Sequence, residues 1–492
     1  MAFEIVRKNV LFKPDPTRVL ARHFSLSEER TKKVVRRVLE LPRAKQDEMM
    51  RQVLRKYSKR HRSIITVFEK NFKRIKAVVD SMNLSDGEIS YREKLLIGSY
   101  FTMEYSIESA AFFNPSVVED IDQTQLSPGE KRLIFSFRAT GEGHVSSIVF
   151  RSAVIDKNLD LKVENVGNLL EKPLQIKSHR YHKDTFLSKL LELHEPEEEI
   201  LEIIKNKLTD TFIYEELIRY IAEIRQENKL SVDSETLVNQ MKWLASSHYE
   251  MTYSLDTALS ERVIFPLTDT EKRGIEDARF VRFLDDKGHA TYYGTYTAYD
   301  GFSILPKLLK TKDFIHFKVV PINGYIANKG AALFPRKING KYAMLCRIDG
   351  ENNYIAFSDS INNWQEEAIL LREPELPWEF IQIGNCGSPI ETDKGWLMIT
   401  HSVGPMREYV LSASLLDIDH PEKILSSLKF PLMSPNDFER EGYVPNVVYS
   451  CGSIVHNGHL IIPYAVSDYA STYATVNLED LLEDLIKHGS KG

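Results

Sequence analysis

A chain of 492 residues exceeds what one hydrophobic core usually supports, which leaves one large propeller-like fold with insertions or about two to three domains. Hydrophobic residues at 42% and charged residues at 27% are ordinary for a soluble globular protein, and a net charge of -6 argues against a chain built mainly for nucleic acid. The three cysteines, Cys346, Cys386 and Cys451, lack the paired spacing of a zinc site or a disulfide framework, which fits a reducing cytoplasm. No apolar run follows the charges of the first residues and no window approaches ~18 uninterrupted apolar residues, so neither export nor a membrane span is expected.

In chain order, residues Asn9 to Leu20 read as a strand interrupted by a proline turn. Ser25-Leu-Ser-Glu28 has the form of a capping box, and Val34, Val35, Val38 and Leu39 recur at helical spacing, so helices are expected through most of 26–114, with breaks near Pro42 and at Asp86-Gly87. Between Arg30 and Lys76, 17 Lys or Arg stand against four Asp or Glu. Such a stripe could hold an acidic partner, but it equally suits the solvated face of amphipathic helices or a contact between subunits of a homo-oligomer. From Lys131 the texture becomes β, in Arg132-Leu-Ile-Phe-Ser-Phe-Arg138 and again from His144 to Ile155. A second helical block is expected from about Asp184 to Tyr249, with Glu195-Pro-Glu-Glu-Glu199 near a helix start, where negative charge suits the dipole. After Arg262 short strands joined by Asp-Gly, Asn-Gly and Lys-Gly turns follow each other to about Val476, and an amphipathic helix from Leu478 to Ile486 comes last.

The expected organisation is thus a mostly helical region 1–125 with a leading strand, a β domain 126–476 interrupted by a helical insertion at about 184–249, and a C-terminal helix and tail 477–492. Within the β part, phrases of a turn, a Tyr- or Trp-bearing strand, an Ala/Ser-containing strand and an Asp-x-x-x-Trp/Phe turn recur at a spacing of ~50 residues, as in propeller blades. A β-sandwich with insertions is the alternative.

Two phrases carry chemistry. Gly274-Ile-Glu-Asp-Ala-Arg279 sets an acidic pair beside an arginine, and Tyr292-Tyr-Gly-Thr-Tyr-Thr-Ala-Tyr-Asp300 follows as an aromatic strand. A proton donor above a stacking platform is how a sugar-cleaving site could be built. The 14 His are scattered, and His179-Arg-Tyr-His182 lacks companions at ligand spacing, so no metal is expected. A Gly-rich phosphate loop and a Gly-x-Ser-x-Gly elbow are both absent from the sequence, which argues against nucleotide chemistry and serine hydrolysis.

With Asn328-Lys-Gly-Ala-Ala-Leu-Phe-Pro335, Gly384 to Pro389, His401, Leu415-Leu-Asp417 and Tyr443-Val-Pro-Asn-Val447, these phrases resemble glycoside hydrolase family 130, the mannoside phosphorylases and related β-mannosidases. The resemblance covers 262–476 and, more weakly, 131–155; the helical blocks lie outside the basic family pattern. It implies a five-bladed β-propeller whose central depression holds a β-linked mannoside, cleaved with inversion. Asp277 then stands at the general-acid position, and in the family's phosphorylases the proton travels through a sugar hydroxyl. The sugar-binding set expected from the resemblance and from side-chain chemistry is Glu276, Arg279, Arg151, Tyr299, Asp300, Arg347 and Asp468.

A phosphorylase also needs a cationic pocket for inorganic phosphate as co-substrate, and Lys307, Lys329, His401 and Tyr409 are the candidates; no other cofactor is implied. The family's Arg-Asn pair after Thr-Ala-x-Asp is replaced here by Gly301-Phe302, which tips the expectation slightly to hydrolysis, with phosphorolysis to mannose 1-phosphate as the alternative. Hydrolysis with inversion needs a second carboxylate ~6.5 to 9.5 Å from the acid, and Asp300, Glu391 and Asp468 are the candidates. A non-catalytic propeller that binds glycan or protein is the third reading.

Overall fold

The computed structural model describes residues 3–82, 89–178, 180–193, 198–227 and 232–490. The expected break at Asp86-Gly87, the residues Glu195 to Glu197 of the expected acidic helix start, and His179 lie outside the described residues. The chain is mainly β, with helices in three places.

Among the described residues, five strand layers of three or more strands follow one another along the chain, the first two joined edge to edge in one eleven-stranded sheet, and three two-stranded sheets stand beside them. The first holds Ala111–Glu119, Lys131–Thr140 and Ser146–Ile155; the second holds Gly274–Leu284, Ala290–Tyr299, Ile304–Thr311 and His316–Pro321. A parallel pairing of Gly274 with Ser146 joins the two. The third comprises Ala332–Leu333, Tyr342–Cys346, Asn353–Ser358 and Ile369–Arg372, and the fourth Gln382–Asn385, Gly395–Val403, Tyr409–Leu416 and Ile424–Ser427. In the fifth, Val448–Tyr449, His459–Val466 and Ala470–Asn477 are completed by the N-terminal strand Val6–Arg7, whose Val6 pairs with Thr475.

Alternation along the strands decides what each sheet packs on. In Lys131–Thr140, Leu133, Phe135 and Phe137 meet Ile461 and Tyr473 of the fifth sheet, while Ile134 faces Phe280 and Tyr292 of the second. Val281, Phe283 and Tyr293 carry the contact on to Leu333 and Met344 of the third, and Phe334 and Leu345 meet Trp396 and Met398 of the fourth. Leu397, Ile399 and Leu411 then pack on Leu460 and Ile462 of the fifth. Tyr292, Tyr293 and Tyr296, near the motif in sequence, are therefore core residues between sheets.

The first helical region is Glu28–Leu39, Arg43–Tyr57, Ile64–Asp80 and Tyr91–Tyr100. Phe68, Phe72, Ile75 and Val79 fall on one face and are buried, while most of the basic side chains of this stretch are exposed. Two expectations are corrected here. The helices stop at Tyr100 and not near 114, because Thr102–Ser106 pairs with Val19–His23 and Ala111–Glu119 is a strand of the first sheet; the expected boundary at 125/126 therefore falls beyond a sheet strand. Ser27 precedes the first helix without a side-chain capping bond, and the capping box is found at Ser90 and Glu93.

The insertion contains Lys183–Leu193, Glu198–Lys207, Tyr214–Glu227 and Val232–Ala245, and its flanking strands Gln175–Ser178 and Tyr249–Thr252 extend the second sheet. Leu478–His488 packs Leu481, Leu482 and Leu485 into the contact between fourth and fifth sheets. No helix among the described residues is long and apolar enough to cross a membrane.

A buried ion triad ties these parts together. Glu108 accepts 2.7 Å hydrogen bonds from Arg18 Nε and Arg151 Nη2, and the remaining Arg18 nitrogens donate to the carbonyls of Gly167 and Ser260, at the two ends of the segment carrying the insertion. Replacing the carboxylate with Glu108→Ala would strand two buried guanidinium groups, so a loss of about 3–5 kcal/mol is expected. Denaturant unfolding followed by tryptophan fluorescence reads it as a lower midpoint.

Candidate active site

Asp277 sits where the regular ladder breaks. In Gly274–Leu284 the pairing passes from Glu276 opposite Thr297 to Arg279 opposite Thr295, so Asp277 and Ala278 face the single residue Tyr296. This bulge gives Asp277 a φ of 51° and turns its carboxyl away from the sheet. The first sheet has the same device: the pairing jumps between Phe113 and Ser116, and Asn114 has a φ of 51°. The two bulges meet, with Asn114 Nδ2 donating to Asp277 Oδ1 at 2.7 Å.

Arg138 lies on the same strand face as Ile134 and Ser136. Its guanidinium donates to Glu276 Oε1 at 2.7 Å and to Asp277 Oδ1 at 3.3 Å. Lys329 Nζ closes the other side of Glu276 at 2.7 Å. Arg279 donates to the Asp277 carbonyl at 3.0 Å and to the Tyr449 hydroxyl at 2.7 Å, and that hydroxyl reaches Asp277 Oδ2 at 3.5 Å.

These groups line a cavity of about 370 Å³ whose walls come from all five sheets and their loops. Five cations, Arg138, Arg279, Lys329, Arg347 and Arg407, face it against two carboxylates, Asp277 and Asp468. Arg138, Arg279 and Lys329 are held by carboxylates or by Tyr449, but among the described residues the buried Nε atoms of Arg279 and Arg347 and both amide atoms of Asn385 have no hydrogen-bond partner. Unpaired buried donors on one wall describe a place for an anion.

The field is uneven in a useful way. Burial alone would push the Asp277 carboxyl up, but Arg138, Arg279, the Asn114 hydrogen bond and Lys329 outweigh it and hold it below the usual carboxylate range. Asp468 is pushed up to about 6 by burial and by the neighbouring charge of Asp277, against the pull of Arg138 and Arg407. His401 is driven well below the ordinary imidazole value by burial and by Arg347 and Arg279, so it is neutral; its ring stacks with Tyr409 at 6.1 Å.

Of the residues expected from sequence, Asp277, Arg279, Lys329, Arg347, His401, Tyr409 and Asp468 meet in this cavity. Glu276 is not on its surface; it holds Arg138 and Lys329 from behind. Five expectations are corrected by burial or pairing. Arg151 is committed to Glu108, and Lys307 is wholly buried on Glu271 at 2.8 Å, on the core side of its strand. Tyr299 donates to the Gly301 carbonyl, and Asp300 caps the amides of Phe302 and Ser303, both outside the cavity lining. Glu391, a candidate base, is exposed and paired with Arg336 at 2.6 Å. Sequence reasoning missed Asn114, Arg138, Arg407 and Tyr449; the one usable signal was an arginine ending the apolar alternation of 131–140.

The sequence profile of glycoside hydrolase family 130, described as β-1,4-mannooligosaccharide phosphorylase, matches residues 227–487. The chain belongs to this family. A 1,2-β-oligomannan phosphorylase from Thermoanaerobacter is 35% identical over 229 residues, which is 45% of this chain and 75% of that protein. A β-1,2-mannobiose phosphorylase from Listeria innocua is 30% identical over 228 residues, 45% of this chain and 63% of its own. A solved structure of the Listeria innocua β-1,2-mannobiose phosphorylase with β-1,2-mannobiose superposes at a TM-score of 0.45 and 22% identity, covering 76% of this chain and 92% of that one. Asn114 and Arg138 lie before the stretch that the family profile matches, yet both bind the Asp277 carboxylate.

The raised Asp468 carboxyl has a signed consequence for stability. A folded value of about 6 against an ordinary 3.8 means that the folded state favours the proton: this contribution is fully present below about 3.8 and is lost as pH rises through about 6. Asp468→Asn should therefore be stabilising at pH ~7, by up to about 3 kcal/mol, and close to neutral at pH ~4. Denaturant unfolding at the two pH values checks it.

Proposed function

We propose that this enzyme cleaves β-linked mannosides with inorganic phosphate as the nucleophile, releasing mannose 1-phosphate, and that its five sheets are the blades of a closed five-bladed β-propeller. The cyclic order of sheet contacts, with the fifth sheet packed on the first and completed by the N-terminal strand, supports the closed ring. The observation that carries the reaction is the excess of cations in the central cavity, together with the buried Arg347 Nε and Asn385 side-chain amide, which have no hydrogen-bond partner among the described residues. A hydrolase has no need of such a wall.

The site divides in two. Arg347, Arg407 and Lys329, with neutral His401 and Tyr409 as hydrogen-bonding partners, form the phosphate end. Asp277, Asn114, Arg138 and Asp468 form the sugar end, where a carboxylate that keeps an acceptor free can orient ring hydroxyls. The reasons for preferring hydrolysis weaken accordingly. The Arg-Asn pair missing after Asp300 has its charge supplied from other loops, and of the candidate bases Asp300 and Glu391 are committed elsewhere.

Asp277 is the proton donor. Without bound substrates its carboxyl is ionised by the surrounding cations; a phosphate dianion bound beside them cancels that field, and a sugar that excludes water strengthens the effect. Both raise the affinity of Asp277 for a proton only once both substrates are present. The proton then passes to the leaving glycosidic oxygen, directly or through a sugar hydroxyl, while phosphate attacks the anomeric carbon from the opposite face and inverts it. The substrate is a β-mannoside oligosaccharide or glycoconjugate.

Incubation of the purified protein with β-1,2- and β-1,4-mannobiose, with and without phosphate, tests the reading. Mannose 1-phosphate should form only with phosphate; release of free mannose at the same rate in its absence contradicts phosphorolysis. Asp277→Asn should lower kcat by about 10²–10⁴, the range of general acid catalysis. Arg347→Ala should raise KM for phosphate by about tenfold or more, with a much smaller effect on KM for the mannoside.

A further inference from the structure

The bulge that presents Asp277 is gripped from the cavity side by Asn114, Arg138 and Arg279, and towards the core it rests on Tyr296. Asp277 and Ala278 together face this one residue, and Ala278 is buried in the same core cluster as the Tyr296 ring. Side chains opposite each other in an antiparallel pair share a face, so the place of that ring sets how far the bulge can sink. A left-handed φ at a residue other than glycine persists only where its surroundings over-determine it.

The Tyr296 ring is not left to packing alone. Its hydroxyl donates at 2.7 Å to Oε1 of Glu271, whose relative exposure is 0%. Three more donors converge on that carboxylate: Lys307 Nζ at 2.8 Å, the Leu267 N–H at 3.1 Å, and the Tyr249 hydroxyl at 3.1 and 3.2 Å from its two oxygens. Lys307 is the direct strand partner of Tyr296. Tyr249 begins the strand on which the chain leaves the helical insertion, next after the helix Val232–Ala245. A buried ion pair is a weak source of stability, and apolar residues in its place often hold a core as well or better. What the converging donors add is a fixed position for Glu271, and through it for Tyr296.

We propose that Tyr296 is a positioning residue for Asp277, and that the helical insertion enters the reaction through Tyr249, which helps to fix the Glu271 carboxylate that anchors Tyr296. This rests on Asp277 being the proton donor. Tyr296 lies outside the lining of the central cavity, so it acts through the bulge: it keeps the Asp277 carboxyl within reach of Asn114 and Arg138 and in line with the leaving oxygen. Such alignment is steep, since a displacement of about 1 Å costs on the order of 10²-fold in rate. Most of the insertion precedes the stretch matched by the family profile, so the support from Tyr249 ties an added element to the family's common part.

Steady-state kinetics of the full-length Tyr296→Phe and Tyr249→Phe variants with mannobiose and phosphate test this. Each change keeps the ring and removes one hydroxyl. Tyr296→Phe should lower kcat by about tenfold or more with KM for both substrates little changed, and Tyr249→Phe should lower it by less. Carboxyl ¹³C NMR adds a readout that a purely structural role would leave alone. In Tyr296→Phe the Asp277 carboxyl, loosened from Asn114 and Arg138, should titrate at higher pH than in the wild type. That titration needs no turnover, so it decides the positioning role whichever nucleophile the enzyme uses. An unmoved Asp277 titration in Tyr296→Phe overturns the positioning role, whether kcat stays at the wild-type level or falls only in step with thermal stability. Wild-type kcat in Tyr249→Phe beside an impaired Tyr296→Phe overturns the part given to the insertion. Turnover that survives Asp277→Asn overturns the reading of Asp277 itself, and the positioning role with it.

Discussion

The structure is organised around a carboxylate that would be unaffordable without its neighbours. Asp277 is buried, bulged out of its strand and held in a left-handed backbone conformation, a combination that costs several kcal/mol of desolvation and strain. Arg138, Arg279, Lys329 and Asn114 offset that cost, and each comes from a different part of the chain. The first and second sheets must be joined edge to edge for Asn114 and Arg138 to reach it, and the third must pack on the second for Lys329 to brace Glu276. The apolar contacts between sheets are thus the precondition of the electrostatics at their centre.

The cations do more than stabilise. By keeping Asp277 ionised while Asp468 next to it is pushed up to about 6, they separate the affinities of two adjacent carboxyl groups for a proton. They also leave the wall of Arg347 and Arg407 in want of an anion. Under the proposed phosphorolysis, one charge arrangement would serve two ends, binding a phosphate and linking that binding to protonation of the acid. Neutral His401 fits the same logic: between Arg347 and Arg279 a third positive charge would be costly, and an uncharged imidazole can still hydrogen-bond.

How much of this was legible in the sequence follows the distance over which each contact acts. Asp277, Glu276 and Arg279 lie in one phrase, so their type and spacing could be read directly. The β texture, the recurrence of similar phrases and the helical blocks were readable as periodicity. Asn114 and Arg138 are 163 and 139 residues from Asp277, and nothing local says that bulges in two sheets will face each other. Lys307 and Arg151 show the converse. Each is a basic residue on a strand near the motif or in the adjoining sheet, but alternation points it into a buried ion pair with Glu271 or Glu108, and which face a strand buries is a property of the packed sheets. The strand Ala111–Glu119 was missed because a bulge at Asn114-Pro115 interrupts its alternation.

The most direct test of this account is the protonation of Asp277 itself, followed by carboxyl ¹³C NMR on the wild type against Asp277→Asn, with and without saturating phosphate. An Asp277 carboxyl ionised below the usual range in the free protein, whose affinity for the proton rises when phosphate binds, is the predicted result. A carboxyl already protonated near neutrality in the free protein, or one indifferent to bound phosphate, would contradict the coupling between the cation wall and the acid on which the mechanism rests.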